Sequence, residues 1–439
     1  MIDVKNDMIR ETVNGMKDTL VKYRREFHQY PEPAWTEFRT TSKLVHYLKE
    51  WGYSIKLGSV IIAEKGMMGV PSKEHLENCM QRAIEQGADP ELLKQMEGGK
   101  TGVVAELDCG PGPVIALRFD IDSNDIQEVE IGEHRPYREG FSSKNSNAMH
   151  ACGHDGHMTI GLGTAKILIS MKDQLKGKIR FIFQPGEEGV RGAKAMVEAG
   201  VVDDVDYIIG GHIGFNAKHT GDFICATGKF LATTKIDATF TGEPAHAGAA
   251  PQEGKNALLA AATAALNLHA ISRHAAGASR INVGVLEAGQ GRNIVPPNAV
   301  MKYETRGENS EIDSYMVKES KRIVKAAADM YDVAVEIEMV GGTSSGESDT
   351  EVASVVKEVA REIPYFTNII DYMDFGAAED YAALMGAVQQ HGGKGTYYML
   401  GADRAAGHHN NHFDFDEDVL AAGVELNVRS VLKMASKEK

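Results

Sequence analysis

Apolar runs of strand length and stretches with helical spacing follow one another along this chain in an order that few folds can accommodate. Runs at 103–107 and 114–119 precede a helical stretch at 154–171, a run at 179–183, a second helical stretch at 193–199 and a run at 206–210. Strands that alternate with helices have crossovers long enough to join parallel neighbours. They therefore imply an α/β domain around a mostly parallel sheet, with functional groups on the loops at the strand ends. The pattern then changes. Residues 230–240 alternate as a strand does, 254–272 form a long helix rich in Ala and Leu, 280–286 and 300–305 are strands, 310–331 is helical and 333–339 alternates again. This order, βαββαβ, is that of a ferredoxin-like, split-βαβ sandwich. Residues 341–346, rich in Gly and Ser, read as a linker, after which helices and short apolar runs resume to Lys439. The expected architecture is an α/β catalytic domain in two parts, 1–226 and 343–439, interrupted by an inserted α+β domain at 227–342.

Other segments fill in the outline. Residues 9–30 and 38–51 carry apolar side chains at helical spacing with charges between them, which predicts two amphipathic helices. The charged stretch 64–100 reads as a helical insertion, with one helix after Pro71-Ser72 and another after Asp89-Pro90. At 439 residues the chain can bury a substantial core in each domain. A net charge of -15 argues against nucleic acid or an anionic membrane as partner, because both demand a basic face. Cys79, Cys109, Cys152 and Cys225 are too few for a disulfide framework in so long a chain and fit a reducing compartment. The cytoplasm is the expected location. Residues 1–17 lack the continuous apolar core of a signal peptide, and no later stretch approaches a membrane span.

Chemistry concentrates in residues 149–157, where His150, Cys152, His154 and His157 stand closer together than burial requires. In an extended loop, residues two apart such as Cys152 and His154 point to one side, so a thiolate and an imidazole make a metal corner. A second signal follows the apolar run 179–183, which ends in Glu187 and Glu188. Two adjacent carboxylates at a strand end can serve as one metal ligand and one proton carrier, the pairing that metal-assisted hydrolysis requires. His212 follows another buried-looking strand and is flanked by glycines that let a metal or substrate come close. Asp120 and Asp122 close the run 114–119 and can ligate, orient a ligand from behind or cap a turn; orienting is the expected role of Asp122. Near the C-terminus His408, His409 and His412 form a further cluster that spacing alone does not resolve.

Taken together, Ala151-Cys152-Gly153-His154-Asp155, Pro185-Gly186-Glu187-Glu188-Gly189, Gly211-His212 and Gly242-Glu243-Pro244-Ala245-His246-Ala247 carry a family resemblance over nearly the whole chain. The chain resembles the amidohydrolase branch of the dinuclear-metal aminoacylase and carboxypeptidase family, which includes hippurate hydrolases and auxin-conjugate amidohydrolases. The resemblance implies two divalent metal ions, zinc or manganese first and cobalt or nickel as alternatives. Cys152 would bridge them, with His154, Glu188, His212 and His409 as the other ligands and Glu187 as general base and acid. His409 is selected because the family ligand lies four residues before an aromatic, here Phe413; Asn411 stands where a common His-x-Pro pattern has proline. The inserted domain would serve as dimerisation and lid domain. In it, His246 would reach the active site of a neighbouring protomer to polarise the scissile carbonyl, and Asn293 and Arg306 would hold a substrate carboxylate.

The implied activity is hydrolysis of the amide bond of an N-acyl or N-aroyl amino acid. Residues 66–72, 86–89 and 98–103 most resemble the part of the branch that cleaves p-aminobenzoyl-glutamate to p-aminobenzoate and glutamate. The assembly would be a homodimer or a heteromer with a homologous subunit. The alternative is a non-catalytic or regulatory partner within an amidohydrolase built from two different chains, against which a carboxylate beside the ligands, Glu187, speaks.

Overall fold

The computed structural model describes residues 2–435; Met1 and residues 436–439, the outer ends of the two expected catalytic segments, lie outside the described residues. The chain divides into two compact units. The first takes the chain up to Gly228, Glu347–Phe375 and the chain from Asp380 onward, and the second takes Lys229–Gly346 with Gly376–Glu379. Pairing explains the borders. Thr227–Gly228 pairs with Met373–Asp374 inside the first unit, and a bridge from Phe230 to Gly346 closes the second. Each border therefore lies two to four residues beyond the positions 226 and 342 read from the sequence.

In chain order the strands are β1 (Ser54–Lys56), β2 (Val103–Asp108), β3 (Val114–Asp120), β4 (Lys178–Gln184), β5 (Tyr207–Ile213), β6 (Asp222–Ile224) and β7 (Thr227–Gly228). The second unit holds β8 (Ala232–Thr241), β9 (Ser279–Ala288), β10 (Asn298–Gly307) and β11 (Ala334–Thr343), and the first resumes with β12 (Asn368–Ile370), β13 (Met373–Asp374) and β14 (Lys394–Leu400). Eight strands of the first unit form one sheet in the order β1-β2-β4-β3-β5-β14-β6-β12. Its centre, β4-β3-β5-β14, is parallel throughout, whereas β1, β2 and β6 join antiparallel. A central parallel strand is covered on both faces, which is why β3 and β4 are buried almost end to end.

The helix His154–Ser170 is buried on nearly every side, against the sheet and against the helices Lys17–Gln29 and Asp418–Ala435. Glycine makes that closeness possible. A Cβ on Gly161 would lie 2.7 Å from the Phe183 ring and 2.8 Å from the Phe119 ring, and one on Gly163 would lie 2.6 Å from Val424. In the second unit β11-β8-β10-β9 form an antiparallel sheet, and the helices Ala257–Leu268 and Ser310–Met330 bury Ile236, Ala238 and Phe240 of β8. This is the ferredoxin-like arrangement. Among the described residues no helix is long and apolar enough to cross a membrane.

Three local expectations are corrected. The stretch 9–30 is not one helix: it breaks at Met16 between Ile2–Gly15 and Lys17–Gln29. The stretch 341–346 is not wholly a linker, because β11 continues to Thr343 by pairing with β8. β5 runs to Ile213, so His212 lies within the strand rather than after it.

The two glycines before His212 are steric requirements of β5. A Cβ on Gly211 would lie 2.1 Å from Cε2 of Tyr398, and one on Gly210 would lie 2.6 Å from Cε2 of Tyr381. Both rings are buried and cannot swing aside. Gly211→Ala is therefore expected to cost about 1–3 kcal/mol by overpacking, read as a lower urea midpoint at unchanged m value. An unchanged midpoint would show that the Tyr398 ring gives way.

Candidate metal centre

The four parallel strands β4, β3, β5 and β14 end side by side, at Gln184, Asp120, Ile213 and Leu400, and the segments beyond them converge. Asp122 follows β3, Glu187 and Glu188 follow β4, His212 is the penultimate residue of β5, and His409 lies on the loop after β14. Cys152 and His154 flank Gly153, which caps the helix His154–Ser170 in the left-handed conformation at φ 88°. The extended loop expected there is thus replaced by a turn that only glycine adopts without strain.

Two groups of donor atoms, each lying within 4.8 Å of one another, have Cys152 in common: Cys152, His154 and His212 form one, Cys152, Glu188 and His409 the other. His212 Nε2 lies 3.4 Å from Cys152 Sγ, and His409 Nε2 lies 3.3 Å from Glu188 Oε1. Glu187 and Glu188 also form a group with His154, and Glu187 Oε2 is 3.9 Å from His154 Nε2. The histidine cluster near the C-terminus separates clearly. His408 Nε2 accepts from the Phe215 N–H at 3.0 Å, and His412 is exposed and bonded to Asn411. His409 alone of the three joins Cys152 and Glu188. It does so at φ 60°, a conformation costly for a non-glycine residue, while its N–H donates to Ala151 O at 2.8 Å.

Charge around the centre calls for cations. Burial pushes His154 down, but Asp120 and Asp122 outweigh it and hold the imidazole up to about 10. Burial raises the Glu188 carboxyl, but His409 and His154 bring it to about 2. Burial, with His157 and His408, holds His212 well below its ordinary value, so it is a neutral imidazole. Its Nδ1–H donates to Ile213 O at 2.7 Å, which leaves Nε2 as a lone pair beside Cys152. His154 Nε2 is buried with no hydrogen-bond partner. A thiol, imidazoles and carboxylates gathered around such an orphaned nitrogen fit divalent metal ions.

Behind the donors stands a layer of carboxylates. Asp122 accepts the N–H of Glu187 at 3.0 Å and of Glu188 at 2.8 Å, and its backbone carbonyl lies 2.9 Å from His154 Nδ1. Glu37 accepts the N–H of Gly186 at 2.8 Å and the Thr101 hydroxyl at 2.6 Å. Burial and the nearby Asp122 raise the Glu37 carboxyl well above its usual range. His157 contacts Asp120 Oδ1 at 2.6 Å through Nδ1 and accepts the Ile213 N–H at 2.9 Å. His150 is buried with neither ring nitrogen partnered, and burial takes it down to about 3. Neither His150 nor His157 is therefore a surface residue. Glu37 is not marked by any motif, because its link to Gly186 joins segments 149 residues apart; its one signal is an acidic residue in front of the helix Phe38–Trp51.

In the second unit His246 is exposed, with Nδ1 accepting the N–H groups of Gly248 and Ala249 at 3.2 Å and 3.1 Å. A neutral ring so held carries its proton on Nε2. Asn293 is its neighbour, since Asn293 O accepts the Ala247 N–H at 3.0 Å. Arg306, near the end of β10, donates to Glu304 at 2.9 Å.

Asp122→Ala should release the Glu187–Glu188 backbone without removing a donor. Metal affinity is then expected to fall about 10- to 100-fold, measured by competition with a chromophoric chelator. Unaltered affinity would mean that the loop holds itself.

Residues 116–433 match the model of peptidase family M20/M25/M40. The chain is 47% identical to an indole-3-acetyl-aspartic acid hydrolase of Enterobacter agglomerans, over 95% of this chain and 96% of that one. It is 46% identical to one of the subunits of p-aminobenzoyl-glutamate hydrolase from Escherichia coli, over 97% and 98%. The crystal structure of an aminobenzoyl-glutamate utilization protein from Klebsiella pneumoniae superposes with a TM-score of 0.84 at 40% identity, covering 96% of this chain and 97% of that one. A dinuclear metal-binding peptidase from Bacillus subtilis shares the fold, with a TM-score of 0.66 at 24% identity over 96% and 99%. The chain belongs to peptidase family M20/M25/M40.

Proposed function

We propose that this protein hydrolyses the amide bond of N-aroyl amino acids, and that p-aminobenzoyl-glutamate, cleaved to p-aminobenzoate and glutamate, is its substrate. The observation that carries the reading is the Glu187 carboxylate, 3.9 Å from His154 Nε2 and grouped with a donor set that has no structural need of it. Membership of the family makes the chain a metal-dependent amidohydrolase. The names of the Escherichia coli and Enterobacter relatives support an aromatic acyl group and an acidic leaving amino acid. No observation favours a non-catalytic role.

Two divalent ions, zinc or manganese first, would be held by the two donor groups, Cys152, His154 and His212 in one and Cys152, Glu188 and His409 in the other. When bound, such ions polarise a carbonyl and lower the pKa of water from 15.7 to about 7. Glu187, held by Asp122 through its backbone, takes the proton of the attacking water and returns it to the leaving nitrogen. The carbonyl oxygen gains charge in the transition state. The Nε2–H of His246 from a neighbouring protomer is the donor proposed to meet it, a contact worth roughly 3–4 kcal/mol where one such donor has been removed. Asn293 and Arg306 hold a carboxylate of the leaving amino acid, Arg306 by its bidentate fork. The neighbour is a second copy or a homologous subunit. The four cysteines, all buried and none in a disulfide, support the cytoplasm as the compartment.

Glu187→Ala is expected to keep its bound metal by elemental analysis while kcat falls by about 10²- to 10⁴-fold. Unchanged turnover would remove Glu187 from the proton path. His246→Ala and Glu187→Ala, each inactive alone, should regain part of the activity when mixed, because a mixed dimer holds one intact site. No recovery despite demonstrated exchange of protomers would contradict a histidine supplied in trans.

A further inference from the structure

An acidic leaving amino acid brings two carboxylates, and Arg306 with Asn293 accounts for one. The metal centre has an arginine of its own. Arg404 opens the loop that carries His408 and His409, and the loop is closed behind it by a bridge from Arg404 to Phe415 and by Ala405 N–H donating to Asp414 O at 2.9 Å. Its guanidinium lies against Gly214, two residues beyond His212. A Cβ on Gly214 would come within 2.7 Å of both Arg404 Nη1 and His408 Nε2, so glycine makes the room that the arginine occupies.

What marks Arg404 is the lack of a carboxylate. Arg24 pairs with Asp155 and Asp414, Arg118 with Asp120 and Asp380, and Arg180 with Glu106 and Asp204. Among the described residues Arg404 has no such partner, and its hydrogen bond from Nη2 to Phe215 O is long, at 3.4 Å. It is half-buried, and burial lowers it from the ordinary arginine range. A half-buried guanidinium at the reaction centre is then left to an anion that arrives with the substrate.

We propose that Arg404 binds the side-chain carboxylate of the leaving amino acid and thereby sets a preference for conjugates of acidic amino acids. The inference rests on the amidohydrolase reading above and adds the part of the substrate that selects it. It makes Arg404 a specificity residue that Arg306 does not duplicate.

The test compares p-aminobenzoyl-glutamate with p-aminobenzoyl-glutamine, equal in size and lacking only the second charge, on the metal-loaded wild type, R404Q and R404K. Wild type should favour glutamate in kcat/KM by roughly 10- to 100-fold. In R404Q the ratio should collapse toward one through a higher KM for glutamate, with the glutamine amide unaffected, and R404K should keep part of the preference. The same contrast is readable without turnover, since L-glutamate but not L-glutamine should raise Tm in wild type and lose that effect in R404Q. Equal loss on both amides in R404Q, or a wild type indifferent to the charge, overturns the proposal while leaving the amidohydrolase reading intact. A wild type that cleaves neither amide overturns both.

Discussion

Two buried carboxylates hold the segment on which the chemistry of this protein depends. Asp122 and Glu37 accept three successive backbone N–H groups, those of Gly186, Glu187 and Glu188. Neither group has solvent to stabilise it, so the backbone donors, with the Thr101 hydroxyl on Glu37 and His154 beside Asp122, make their burial tolerable, and the segment is in turn kept in one conformation. On a chain so fixed the two adjacent carboxylates lie within 4.8 Å of each other and of a ring nitrogen of His154, while their other neighbours differ. Glu188 meets His409 and Cys152, and Glu187 stands near His154. A loop held only by its own turn would leave both glutamates to solvent, which is the usual fate of a Glu-Glu pair.

The sheet determines where this support is needed. Because β4, β3, β5 and β14 are parallel neighbours, four loops far apart in sequence open at one end of the sheet. The helix His154–Ser170 starts there as well, and its buried position returns Cys152 and His154 to the same end. Strain collects at one residue there: His409, which is not a glycine, has φ 60°, and its N–H is tied to Ala151, next to Cys152. Two histidine-bearing segments from either side of the inserted unit are in this way fastened to each other through the backbone.

How much of this could be read in the sequence follows from the range of the interactions. The alternation of strands and helices and the βαββαβ insertion are periodic and local, so they were readable. So was the density of His and Cys around Cys152, and the pair Glu187-Glu188 directly after an apolar strand. The parts that were not readable are those made by contact between distant segments. Glu37 resembles any acid in front of a helix until Gly186 is placed against it, and His157 resembles a spare member of a cluster until Ile213 donates to it. His408, His409 and His412 are told apart in the sequence only by the resemblance that counts four residues back from Phe413; their separate contacts come from the fold. Arg404 has no motif at all; its meaning comes from Gly214 and from the carboxylate it lacks. The break at Met16 and the continuation of β11 to Thr343 depend on packing and on pairing with β8, which periodicity does not record.

One thiolate, that of Cys152, is proposed to serve two cations. Titration of the metal-free protein with Co²⁺, followed by the near-ultraviolet charge-transfer absorption of the sulfur ligand, tests it most directly, because that band reports only ions bonded to sulfur. If Cys152 belongs to both donor groups, the band grows through two equivalents per chain and is lost in Cys152→Ser. A band complete at one equivalent, or none, would contradict a shared thiolate.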